Sequence, residues 1–291
     1  MTPADTSAES RRRILLFCDA DRPAVREELR LLLPLLKQHV EIIEIDLKQE
    51  QDLSGMSADF AIVLGGDGSI LRAVGQLGYH QIPVVGVNLG KLGFLADLSP
   101  TELMEVLPQI CQHEFSVVEH LILQCRVLRN NGEVVRKLAL NEVSILAGAP
   151  FTVLDIDLYV DQQWVTTYSC DGLIVSTPVG STAHSLSAGG PILRKDLSAV
   201  VISPISAHTL TIRPVVDSAE RVYEMRVPQP NAGTSLVMDG QLILGLSAGD
   251  RVIVERAETK FQMIDVPGHT YYRTLREKLG WGGRLPRTDG R

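Results

Sequence analysis

Apolar runs and amphipathic stretches alternate through the first third of the chain. Ile14-Leu15-Leu16-Phe17 has the length and apolar content of a buried strand. Val25 to Leu36 carries apolar residues at helical spacing, with Asp21 placed to cap the helix, Pro23 in its first turn and its end near His39. Val40-Glu41-Ile42-Ile43-Glu44-Ile45 and Ala61-Ile62-Val63-Leu64 predict the second and third strands. Ser69-Ile70-Leu71-Arg72-Ala73-Val74 opens a helix to about Leu77, Ile82 to Val87 is a fourth strand, and about Pro100 to Cys111 is a further helix. Strands alternating with helices predict a parallel sheet with helices packed on it, and such sheets bind ligands at the carboxyl ends of their strands.

The rhythm changes from Val117 onward. Asn131-Gly132 between Leu121–Leu128 and Val134–Leu140, and Asp161-Gln162-Gln163 between Phe151–Val160 and Trp164–Tyr168, are hairpin signals. Further strands are expected at Leu173–Val175, Ala199–Ser203, Arg221–Val227, Ser235–Met238, Arg251–Glu255 and Lys260–Asp265, with a helix returning only at Thr274–Leu279. The pattern therefore divides into an α/β domain over residues 11–118 and an all-β domain over 119–267. The segment 268–291 is expected to pack back on the first domain and to end in a mobile tail, Gly282 to Arg291.

With 291 residues the chain is long enough for two cores. A formal charge of −7 argues against a nucleic-acid partner, so any anionic ligand must be held by local groups. The polar start, Met1 to Ser10, and the four apolar residues after Arg11-Arg12-Arg13 do not make a secretory signal, and no apolar run has the length of a membrane span. A cytoplasmic protein without membrane partners is expected. Cys18, Cys111, Cys125 and Cys170 are widely spaced, which suits reduced packing thiols rather than structural zinc.

Against this background, Gly65-Gly66-Asp67-Gly68-Ser69 places a carboxylate in a glycine turn at the end of the third strand. The glycines admit a phosphate to backbone N–H groups, and the following helix directs its positive end there. A carboxylate at that spot would repel phosphate unless it bound metal or took a proton from a hydroxyl, which points to phosphoryl transfer to an alcohol; the same residues also make an ordinary tight turn. Arg72, one turn on, can reach a phosphate or simply face solvent. A second segment, Asp171 to Pro191, is rich in glycine and hydroxyl residues, and Ser181 or Thr182 can cap a short helix whose N–H groups face an anion. Two such loops, one in each domain, suggest a cleft for a phosphate-rich ligand.

Several motifs occur together: Gly65–Ser69; Asn88-x-Gly90-x-Leu92-Gly93-Phe94-Leu95; Asn141-Glu142; Asp171-Gly172; Ser176-Thr177-Pro178-x-Gly180-Ser181-Thr182-Ala183; and Leu186-Ser187-Ala188-Gly189-Gly190-Pro191. With His208-Thr209-Leu210, Arg213-Pro214 and Asp239-Gly240-Gln241 they resemble the bacterial and eukaryotic NAD kinases, from about Ile14 to Trp281. The resemblance implies a Rossmann-like α/β domain of the phosphofructokinase and diacylglycerol kinase type, and a second domain built as a two-sheet sandwich that binds NAD. It implies transfer of the γ-phosphoryl of ATP, or of polyphosphate, to the 2′-hydroxyl of the adenosine ribose of NAD, with ATP and NAD as substrates. A divalent metal, Mg2+ or Mn2+, and a homodimer or homotetramer are implied as well.

The same resemblance makes Asp67 the general base or the orienter of the ribose hydroxyl; on the residues themselves, Gly65, Gly66 and Gly68 let the loop approach phosphate and Arg72 either reaches one or faces solvent. The resemblance puts Asn141, Glu142, Thr152, Asp171, Thr182, Ala183, His184, Ser185, Leu186, Ser187 and Gln241 on the nucleotide. Three departures stand out: His184 where many members carry tyrosine, Ser69 for the commoner threonine, and Ser169 where some bacterial members are basic. The glycine loop alone is equally compatible with a kinase for a lipid or sugar alcohol, and the binding residues alone with a dinucleotide sensor that does no chemistry.

Overall fold

The structure is a computed structural model that describes residues 11–90, 93–96, 98–149, 152–209, 211–266 and 270–280. The polar start, the tail 282–291, and Phe151, Leu92, Leu210 and Trp281 of the stretches named above lie outside these.

β1 (Arg12–Cys18) leads to α1 (Pro23–His39), then β2 (Val40–Asp46) and β3 (Phe60–Gly65). α2 (Asp67–Leu77), β4 (Val84–Asn88) and α3 (Pro100–Cys111) follow. Two boundaries differ from expectation. Pro23 takes the first helical position, so Arg22, not Asp21, is the N-cap of α1, and it makes no side-chain cap bond. α2 begins at Asp67 itself, which puts the candidate catalytic carboxylate inside the first turn rather than before it. α3 starts on a full capping box, Ser99 accepting from Glu102 N–H while Glu102 accepts from Ser99 N–H.

The chain continues with β5 (Ser116–Arg129), β6 (Gly132–Ala139), β7 (Glu142–Leu146), β8 (Leu154–Val160), β9 (Gln163–Cys170) and β10 (Gly172–Ser176). A 3₁₀ turn (Gly180–Thr182) and the four-residue α4 (His184–Ser187) precede β11 (Ala199–Ile205) and β12 (Val215–Ser218). β13 (Tyr223–Arg226), β14 (Ser235–Met238), β15 (Gln241–Gly245), β16 (Arg251–Asp265) and α5 (Tyr271–Leu279) complete the elements. Arg251–Glu255 and Lys260–Asp265, expected as two strands, are one. Across the polar stretch between them, Ala257 and Phe261 stay buried while Arg256 and Lys260 face outward, and Glu255 and Lys260 pair with Arg126 and Glu119 of β5. Charge there reflects alternation along an edge of the core, not a turn. Asn141-Glu142, expected to end a β run, instead opens β7.

Two compact units emerge. One takes the described residues of Met1–Gln76, Ile82–Val118 and Met263–Arg291. Its strands are parallel in the order β2-β1-β3-β4, with Met263 beside Val84, over a core that includes Leu16, Ile62, Leu64, Leu36 and Leu103. Asp46, at the end of β2, fixes α2: its carboxylate accepts from the N–H groups of Lys48, Gln49 and Gln51 and from the Gln76 side chain, while Gln49 donates to the Ser69 carbonyl. The other unit, Leu77–Gln81 and Glu119–Gln262, is antiparallel. One sheet carries β16-β13-β8-β9 with β5 and β6, the second runs β12-β11-β10-β7-β14-β15, and their inward residues, among them Leu158, Val175, Tyr223 and Leu236, form one core. Among the described residues no helix is long and apolar enough to cross a membrane.

Candidate functional site

Asp67 sits where the parallel sheet delivers it, just past the carboxyl end of β3. Its carboxylate is held from one side. Phe94 N–H donates to Oδ2 at 2.8 Å, and the N–H groups of Leu95 and Ala96 donate to Oδ1 at 2.9 and 3.1 Å. The loop that supplies them follows β4, β3's neighbour in the sheet, and closes on itself through Gly93 N–H to the Ala96 carbonyl. Gly93 has no alternative there: a Cβ would run into Asp67 Oδ1 and come within 2.8 Å of the Ala96 carbonyl oxygen. Lys278 of α5 lies 5.2 Å from the centre of the Phe94 ring, on the same loop.

The glycines of the loop differ in what they do. Gly65 has φ +154° and its missing Cβ makes room for Ser69. At Gly66 and Gly68 a Cβ would meet nothing within 4 Å, so protein packing does not call for glycine at either place. Arg72 is exposed and 3.8 Å from Asp19, which follows β1.

In the antiparallel unit the Leu140-Asn141-Glu142 turn is gripped from two directions. Thr177 Oγ1 donates to the Leu140 carbonyl at 2.6 Å, Thr177 N–H and Ser176 Oγ donate to the Asn141 carbonyl, and Gly180 packs so closely on Asn141 that a Cβ would strike its backbone. From the other side Asp239 accepts three successive N–H bonds, from Leu140 (2.8 Å), Asn141 (2.8 Å) and Glu142 (3.0 Å). Asp239 has φ 48° and Gly240 φ 74°, the left-handed pair of a tight hairpin between β14 and β15, which puts Gln241 beside it. Glu142 is 5 % exposed; burial and facing Asp239 push its carboxyl up to about 8.

The remaining residues of this half are less uniform. Thr182, Ala183, His184 and Leu186 are part-exposed and Ser187 exposed, all on or beside α4. Neither Ser181 nor Thr182 caps that helix, contrary to expectation. Ser181 is buried, donating to the Pro178 carbonyl and accepting from Leu193 N–H, and Thr182 donates back to the Val179 carbonyl. Ser185 is also buried, its hydroxyl 2.9 Å from that of Ser203. Burial lowers the His184 pKa. Asp171 is exposed, 4.0 Å from His208. Thr152 lies apart on the segment before β8 and accepts from Asn231. Burial pushes the thiols of Cys18 and Cys170 up to about 11 and Cys125 to about 12, the behaviour of packing cysteines.

Two supporting groups carried no role in the sequence reading: the N–H donors of Phe94 to Ala96, and Asp239. Phe94 and Leu95 lie in the motif after β4 and Asp239 in the Asp239-Gly240-Gln241 hairpin, so a glycine or aspartate in a turn at a strand end is the signal that points to them; Ala96 lies just past the named motif. Among the described residues no three His, Cys, Asp or Glu side chains gather as a metal cage.

The chain matches the model of the ATP-NAD kinase N-terminal domain over residues 27–115 and that of the ATP-NAD kinase C-terminal domain over 140–266. An NAD kinase from Rhodopirellula baltica is 52% identical over 273 residues, which span 94% of this chain and 88% of the relative. One from Geotalea daltonii is 35% identical over 283 residues, 94% of this chain and 100% of that one. Yeast NADH kinase, solved with NADH, shares the fold at a TM-score of 0.86 and 22% identity, covering 97% of this chain and 91% of its own. An NAD kinase from Archaeoglobus fulgidus, solved with ATP, matches at a TM-score of 0.73 and 28% identity, over 93% of this chain and all of its own. Two domain models in order, over folds that carry both glycine motifs, leave one assignment: this chain belongs to the NAD kinase family.

Proposed function

We propose that Asp67 holds the 2′-hydroxyl of the adenosine ribose of NAD while that oxygen receives the γ-phosphoryl of ATP. The observation that carries this role is the three-point fixing of its carboxylate. A carboxylate has about four lone-pair sites, and three are taken by the 94–96 amides, which leaves roughly one, in a set direction, for a hydroxyl. Phosphoryl transfer asks little covalent chemistry of a protein and much alignment, so a carboxylate with one open direction suits the task. Gly66 and Gly68 support the phosphate side: the fold would accept a Cβ at both, so their lack of one serves whatever approaches the loop from outside. Arg72, whose described ion pair with Asp19 is long at 3.8 Å, can turn to a phosphate.

NAD is read by Asn141, Glu142, Thr152, Asp171, Thr182, Ala183, His184, Leu186, Ser187 and Gln241, with Ser185 acting through the packing of α4. The shared anchoring of Asn141 and the 176–183 segment supports this grouping. A divalent cation fits as a passenger of the nucleotide. Mg2+ in such sites keeps several waters and is bound largely through the substrate phosphates, so it would ride in with ATP while the open direction of Asp67 stays with the hydroxyl. The cation's chemistry is to neutralise charge on the phosphates in flight.

The test is direct: purified protein is incubated with ATP, Mg2+ and NAD, and NADP is detected with a dehydrogenase strictly dependent on it. Accumulation of NADP is expected. Tight NAD binding with no product would make the chain a dinucleotide sensor instead. Replacing ATP by polyphosphate, and NAD by NADH, identifies the preferred donor and acceptor.

A further inference from the structure

Two carboxyl groups share the turn that opens β7, and they are treated unequally. Asp239 accepts N–H bonds from Leu140, Asn141 and Glu142 and returns its own N–H to the Glu142 carbonyl at 3.1 Å. Glu142 is buried, and its Oε2 has no hydrogen-bond partner. β10 contributes Ser176, its uncharged register partner, and the β14–β15 hairpin contributes Asp239, the charged group that acts on it.

We propose that Asp239 is a positioning residue for the nucleotide: it locks the Asn141-Glu142 turn and, as the anion of the pair, keeps Glu142 in its acid form, so that Glu142 offers the dinucleotide a hydrogen-bond donor. The donor count decides which group keeps the proton. Three N–H groups stabilise charge on Asp239, and nothing stabilises it on Glu142 Oε2. An unpartnered carboxylate oxygen in a buried place is costly, whereas a carboxylic acid there needs only one acceptor, such as a ring nitrogen or ribose oxygen. The direction of both shifts agrees: Glu142 is raised to about 8, and Asp239 is raised by burial only to about 6 against the pull of its three N–H partners. This inference rests on the reading above that Asn141-Glu142 meets NAD.

The experiment measures KM for NAD and kcat from pH 6 to 9 in the wild type, E142Q and D239N, beside a 13C titration of glutamate side-chain carboxyls in the free protein. E142Q keeps a neutral side chain with a donor and removes the titration. For the wild type, KM is expected to rise about tenfold by one pH unit above the Glu142 value, as the acid form falls to roughly a tenth, with kcat changing less. E142Q should stay flat, and D239N should raise KM at every pH and move the inflection downward. One carboxyl signal titrating near 8, absent in E142Q, is the expected result in the free protein. All glutamates titrating in the ordinary range would overturn the proposal, as would parallel KM profiles in wild type and E142Q. If the signal near 8 is present but KM for NAD is the same in both proteins, the placement of NAD on this turn fails, and the donor role fails with it. Should D239N not fold, E142Q and the carboxyl titration still decide.

Discussion

The Asp67 loop and the Asp239 turn use one device in opposite senses. In each, an aspartate accepts N–H bonds from three consecutive residues brought from elsewhere in the chain. In the parallel unit the aspartate is the group proposed to bear the chemistry, and the backbone supports it. In the antiparallel unit the turn carries the groups proposed to meet the nucleotide, Asn141 and Glu142, and the aspartate supports it. On the proposed roles the same geometry makes a poised acceptor in one place and an acidic donor in the other. What differs is which partner is left with an unused hydrogen-bonding site.

The most damaging way to probe this contrast is Asp67→Asn. The amide can still accept from the loop with its one oxygen, so the fold should persist, while kcat for NADP formation should fall by more than about 10²-fold. Near-normal turnover of the folded variant would remove Asp67 from the chemistry. Gly93→Ala attacks the support instead. The new methyl group collides with Asp67 Oδ1 and crowds the Ala96 carbonyl, so a loss of about tenfold or more in kcat and about 1–3 kcal/mol of stability is expected. An unchanged kcat would show that the loop merely packs. The gentlest probe is the pH dependence of stability. The folded value of Glu142, about 8, lies above its ordinary 4.5, so its stabilising contribution is complete below about 4.5 and is lost as pH rises through about 8. Urea titrations should show E142Q gaining on the wild type across that window. A constant difference between them would mean that Glu142 is ionised in the folded state.

Much of this was legible in the chain. Short apolar runs located β1 to β4, and the helix expected from about Pro100 to Cys111 matches α3. The hairpins at Asn131-Gly132 and Asp161-Gln162 followed from residues that tolerate left-handed backbone. Partners were not legible. Nothing local links Asp67 to amides 27 to 29 positions away, or Asp239 to a turn almost a hundred residues earlier. Ser181 misled for a related reason: a hydroxyl next to a glycine before a short helix looks like a cap, but tertiary contacts with Pro178 and Leu193 claim it first. The continuity of β16 was hidden because Glu255 and Lys260 are polar on account of their neighbours on β5.

The separation between Asp239 and the turn that it holds, 97 to 99 residues, also has a meaning in time. During synthesis Asn141 and Glu142 leave the ribosome long before Asp239 does. At about 5–20 residues per second the wait is roughly 5–20 s. For that interval the nascent chain carries the turn proposed to read the nucleotide without the group that shapes it, so competence to bind NAD is expected late in translation, close to completion of β14 and its hairpin.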